Sequence, residues 1–178
     1  MISLVQSPIT RQKFVILDEP NDRTLKKYID TLAKENVTIL VRFRSWNQLN
    51  DHSAGELEKQ TGIQVIDHPM IESDSVPNRE AIRRWLELTE TARRSKATIG
   101  VHSMAGICRA PLLIALSLIE TGMRPIDAIS YVREHRRGVL TKSELRFLMG
   151  YRRTSRHSRW FGWLKRRTMS VSRTSKIH

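Results

Sequence analysis

Short runs rich in Val and Ile alternate along this chain with helix-length amphipathic segments, and that alternation limits the folds open to it. Residues 13–17, 37–43, 63–66 and 98–102 read as strands, the third following a turn at Gly62. A helix capped by Asp22 carries Leu25, Tyr28, Ile29 and Leu32 on one face, and residues 78–94 place Ile82, Trp85, Leu86, Leu88 and Thr89 toward a core. Residues 110–121 form an apolar helix stopped by Gly122. Pro125 opens a helix bearing Ile126, Ile129 and Val132 that ends before Gly138. Thr141, Lys142, Ser143 and Glu144 make a capping box for a last helix with Leu145 and Leu148. Near-continuous apolar strands interleaved with helices predict an α/β domain, its central sheet mostly parallel and flanked by helices.

Other classes fall away on composition. The 178 residues contain one cysteine, Cys108, which excludes an intramolecular disulfide framework and a multi-cysteine zinc site. The longest apolar stretch, 110–119, is far shorter than the ~20 residues of a membrane span. The N-terminus lacks a basic segment followed by an apolar run, Ile2 stands where myristoylation needs glycine, and the last four residues hold no cysteine to prenylate. The expected compartment is the reducing cytosol. No cofactor and no metal are expected. The net charge of +13 is uneven: residues 152–178 hold nine Lys/Arg and no acid, so the first 151 residues carry only +4. We therefore divide the chain into a domain, 1–151, and a basic, aromatic-containing tail, 152–178.

The segment with the clearest chemistry runs from Val101 to Arg109, between a buried strand and a helix. Ligands of α/β sheets bind at the carboxyl ends of strands. A tight loop that opens a helix directs several backbone N–H groups at one point, and the helix dipole adds positive charge there. Gly106 lets the loop curl close to a ligand, and Arg109 offers a planar fork to two anion oxygens. Met104, Ala105, Gly106, Ile107, Cys108 and Arg109 thus form a cradle of phosphate size. The alternative is a plain strand–helix turn in which Arg109 pairs a surface acid.

The run from Val101 to Ala115, followed by Leu118-Ile119-Glu120-Thr121-Gly122-Met123, resembles the signature of the phosphatases of regenerating liver. These are the type IVA branch of the dual-specificity protein tyrosine phosphatases. Their loop reads His-Cys-X-X-Gly-X-X-Arg followed by Ala-Pro, an ending that Arg109-Ala110-Pro111 reproduces. Asp127-Ala128, Arg136-Arg137-Gly138 and 145–151 follow the family's C-terminal half. Residues 37–42, 63–69 and Trp85-Leu86 follow its N-terminal half. The resemblance covers roughly residues 14–152 and implies the cysteine-dependent phosphatase fold.

Several positions depart from that pattern. Ser103 stands where the family has its catalytic cysteine. A cradle of N–H groups and an arginine depress a thiol's pKa and give a thiolate, whereas a serine hydroxyl stays neutral in the same field. The family's His102 supports the loop and does not act as a base. The chain is therefore expected to bind anions without hydrolysing them. Cys108 replaces a glycine, and its side chain is expected to point away from the anion. The family's second, redox-active cysteine has no counterpart in Arg44-Ser45-Trp46. The general-acid loop is altered. Asp74 keeps the family's spacing to Pro77, with Glu72 as the other candidate, and either is an acid or a solvated carboxylate. Spread over so many positions, the departures favour natural drift from catalysis over a single engineered Ser103.

In the tail, Trp160, Phe161, Trp163 and Leu164 precede Lys165, Arg166 and Arg167. Aromatic rings beside cations suit an anionic membrane surface, on the cytoplasmic face. A disordered basic tail is the plainer reading, and nucleic-acid binding rests on charge alone. Three functions follow. The first is a pseudophosphatase whose cradle takes phosphate, on a phosphorylated protein, or the carboxylate of a partner's acidic loop. By resemblance that partner is a cyclin-M type magnesium transporter, and homo-oligomers also occur in the family. The second is an active tyrosine or dual-specificity phosphatase, if Ser103 replaces a native cysteine, with Asp74 as acid. The third is a membrane-surface adaptor with a vestigial pocket.

Overall fold

A computed structural model describes residues 2–18, 20–21, 23–44, 53–69, 76–103, 109–136 and 140–154. The strands are β1 (Ser3–Gln6), β2 (Lys13–Asp18), β3 (Val37–Arg44), β4 (Gln64–Pro69) and β5 (Thr98–Ser103). The helices are α1 (Leu25–Lys34), α2 (Ser53–Thr61), α3 (Arg79–Arg94), α4 (Ala110–Glu120), α5 (Pro125–His135) and α6 (Lys142–Gly150). The sheet order is β1-β2-β5-β3-β4. All pairings are parallel except β1 with β2, so the α/β expectation of a mostly parallel sheet between helices holds.

Alternation along the strands sorts the core into two layers, because successive side chains point to opposite faces. Phe14, Ile16, Val41, Phe43, Ile99 and Val101 pack with α3, α4, α5 and α6. Val15, Leu17 and Leu40 pack with Tyr28 and Leu32 of α1 and with Ile63. Helix α4 is buried from Ala110 to Ile119 on every side, as its apolar run requires. Trp85 fastens α3 to it: the indole N–H donates to the Leu113 carbonyl (2.7 Å) and to Ser117 Oγ (2.8 Å). Gly122, at φ +124°, ends the turn after α4 in a conformation that L side chains rarely adopt.

Some local expectations need correction. The proposed cap Asp22 lies outside the described residues. Helix α1 starts after Thr24, whose side chain makes no cap bond, and Asn21 Oδ1 accepts the N–H groups of Arg23 and Thr24 (3.1 Å each). Of the apolar residues that the helix after Pro125 carries, Ile126 is exposed, while Ile129 and Val132 are buried together with Ala128. Gly138 also lies outside the described residues. The capping box at Thr141 and Glu144 forms as expected. No helix among the described residues is long and apolar enough to cross a membrane.

Candidate active site: an anion cradle at the end of the central strand

The chain leaves β2, crosses by α1 to β3 and then to β4, and returns by α3 to place β5 between β2 and β3. Strand order reverses around β5, and at such a point the carboxyl ends of the strands open a crevice. Ser103 ends β5 in that position, with Asp18 of β2 and Phe43 of β3 as its neighbours in register. Arg109 is the N-cap residue of α4, its own side chain makes no cap bond, and Pro111 lies in the first turn. The N-terminus of α4, with the N–H groups of its first turn, therefore opens toward the same end of the sheet.

A polar row lies one residue below the end of the sheet. In register across it run His102, Arg42 and Asp67, with the apolar Leu17 on the far side of His102. His102 is buried, with Nδ1 2.7 Å from the Tyr28 hydroxyl and the two rings edge to face. Arg42 grips Asp67 through two donated bonds, Nε to Oδ1 (2.7 Å) and Nη2 to Oδ2 (2.8 Å), with side chains 2% and 18% exposed. This bidentate geometry fixes the adjoining strand ends. The loop with Asp74 follows β4 directly in sequence.

Two more ion pairs frame the crevice. Arg109 Nη1 donates to Glu144 Oε1 at 3.4 Å, with side chains 11% and 5% exposed. The other Glu144 oxygen accepts the Thr141 N–H at 2.7 Å, so one carboxylate serves both the capping box and the cradle arginine. Arg109 thus pairs an acid, but a buried one on α6, not a surface group. Arg136 Nη2 donates to Asp18 Oδ1 at 2.6 Å. Burial raises the Asp18 carboxyl's pKa, and its cationic hydrogen-bond partners, Arg136 among them, more than offset this, so the value lies below the usual 3.8.

Of the predicted site residues, the structure brings Ser103 and Arg109 to one end of the sheet. Met104, Ala105, Gly106, Ile107, Cys108, Asp74 and Glu72 lie outside the described residues, as do the tail residues 160–167. Sequence reading missed Glu144 as a partner of Arg109, Asp18 as a neighbour of Ser103, and the His102–Tyr28 contact.

This fold, with an arginine-headed helix behind a central strand, defines the tyrosine phosphatase class in its dual-specificity form. Residues 17–123 match the family described as "Polymorphic toxin system, DSP-PTPase phosphatase". A solved protein tyrosine phosphatase of Leishmania major shares 31% identity and superposes with a TM-score of 0.71, over 85% of this chain and 99% of that one. Among curated proteins, a probable protein tyrosine phosphatase type IVA A of Dictyostelium discoideum is 39% identical over 88% of this chain and 90% of its own. The mouse protein tyrosine phosphatase type IVA 2 is 35% identical, over 83% of this chain and 86% of its own. The chain belongs to the protein tyrosine phosphatase type IVA family.

Proposed function

We propose that this chain is a pseudophosphatase of the type IVA family, whose cradle holds phosphate or a partner's carboxylate without turning it over. The observation that carries the reading is the setting of Ser103. It ends the central strand at the crevice, where the family keeps a thiol, and the adjacent His102 is committed at Nδ1 to Tyr28. Serine there lacks the acidity to form an alkoxide. Arg109 and the first turn of α4 still suit an anion. A neutral hydroxyl also removes the repulsion that a thiolate would exert on a dianion. By family resemblance the partner is a cyclin-M type magnesium transporter, whose acidic loop would fill the cradle.

Calorimetric titration with inorganic phosphate and with a transporter CBS-domain fragment tests this, with Arg109→Ala as control. Heat that disappears in Arg109→Ala supports the reading, and heat that survives it points to a vestigial pocket. The tail belongs to the same proposal as a peripheral membrane contact through Trp160, Phe161, Trp163 and Leu164 beside Lys165, Arg166 and Arg167. Cosedimentation with phosphatidylserine vesicles should fall when the four apolar residues become alanine, and unchanged cosedimentation removes that part.

A further inference from the structure

We infer that Glu144 sets the charge preference of the cradle, biasing it toward singly charged ligands such as a carboxylate and against dianions such as a phosphate monoester. The inference rests on the cradle reading proposed above and adds to it the class of ligand. The chain carries a net charge of +13, yet this end of the sheet is not a plain cationic pocket. Arg42, Arg109 and Arg136 all arrive with a carboxylate in contact, from Asp67, Glu144 and Asp18. Of these acids, Glu144 is the one that touches the arginine meant for the ligand. Its side chain is only 5% exposed, so water screens it weakly. It is also fixed, because its other oxygen holds the Thr141 N–H at the start of α6. An incoming anion therefore shares Arg109 with a resident negative charge.

Coulomb energy is proportional to ligand charge, so that resident charge opposes a dianion twice as strongly as a monoanion. Sulfate and perchlorate make a suitable probe pair. Both are tetrahedral oxyanions, fully ionised near neutral pH, and they differ in charge by one unit. The informative variant is Glu144→Gln, since the glutamine oxygen keeps the capping-box bond from the Thr141 N–H while the charge, and with it the acceptor for Arg109, is lost.

The experiment measures sulfate and perchlorate affinities at constant ionic strength for the unaltered chain, Glu144→Gln, Thr141→Ala and Arg109→Ala. Glu144→Gln should bind sulfate about tenfold more tightly, the size of effect a close like charge has on a neighbouring ionised group. Perchlorate should gain only about threefold, the square root of that factor. Thr141→Ala frays the start of α6 without altering charge, and should leave the sulfate-to-perchlorate ratio where it was. Should the neutral variant not fold, Glu144→Asp withdraws the same charge by one methylene and should move the ratio in the same direction by a smaller factor. Equal changes for both anions, or an equal loss of both, would reduce Glu144 to a support for Arg109 and overturn the inference. Binding that persists in Arg109→Ala, or is absent throughout, would instead overturn the cradle reading beneath it.

Discussion

Two sets of ion pairs on this protein look alike in distance and differ in consequence. Helix α3 carries Glu80 with Arg83 and Arg84, and Arg83 with Glu87, at 2.7–3.0 Å, all more than half or nearly half exposed. Around the crevice, Arg42–Asp67 and Arg109–Glu144 are nearly sealed from water. On α3 the charges would be hydrated without each other, so pairing gains little and salt weakens it further. At the crevice both partners are largely shielded from water, and losing one leaves the other poorly compensated. The first set keeps a helix face soluble. The second holds strand ends together and ties Arg109 to α6.

Variants that remove one partner at a time sharpen this contrast. Arg42→Ala leaves Asp67 without its two donors and should cost about 3–5 kcal/mol in denaturant unfolding. The double variant Arg42→Met, Asp67→Leu should recover most of that, since apolar replacement of both partners removes the stranded charge. A single variant as mild as the double one would break the contrast.

The Asp18–Arg136 pair lies between the extremes, with Arg136 largely buried and Asp18 half exposed. A carboxylate whose folded pKa is lowered stabilises the fold above its unfolded value. That contribution disappears as pH falls through the folded value. Asp18→Asn should therefore cost up to about 1 kcal/mol at neutral pH and nothing in strong acid. A deficit that grows on acidification would reverse the assignment.

The smallest effect belongs to α3. Arg83 shares two acids, and Glu80 is drawn down to about 2 by its hydrogen bonds from Arg83 and Arg84. Arg83→Ala should nevertheless leave the denaturation midpoint unchanged within error at physiological salt, because the whole cluster is solvated.

The same contrast separates what the sequence reveals from what it hides. Helix α4, strand β5 and the capping box at Thr141 follow from local pattern: an all-apolar run, a β-branched run, and a Thr-x-x-Glu spacing. Strand β1 escaped notice because four edge residues, Ser-Leu-Val-Gln, hold only two buried positions. Helix α2 escaped because Ser-Ala-Gly-Glu-Leu-Glu-Lys-Gln-Thr has a single large apolar residue, Leu57, and so no period to read. Ser103 and Arg109 were legible because the chemistry of the loop is written in consecutive residues. Glu144 was legible only as a cap. Its second role joins residues 35 apart in sequence, and Tyr28 meets His102 across 74. Such contacts come from the crossover connections and leave no local trace.

The measurement closest to the central claim is hydrolysis of a small aryl phosphate by the chain as it stands, beside Ser103→Cys and Arg109→Ala. With Ser103 in place, turnover should not rise above the Arg109→Ala background, while phosphate still binds. Arg109-dependent turnover by the unaltered chain would contradict the claim, because the cradle would then be catalysing without a thiolate.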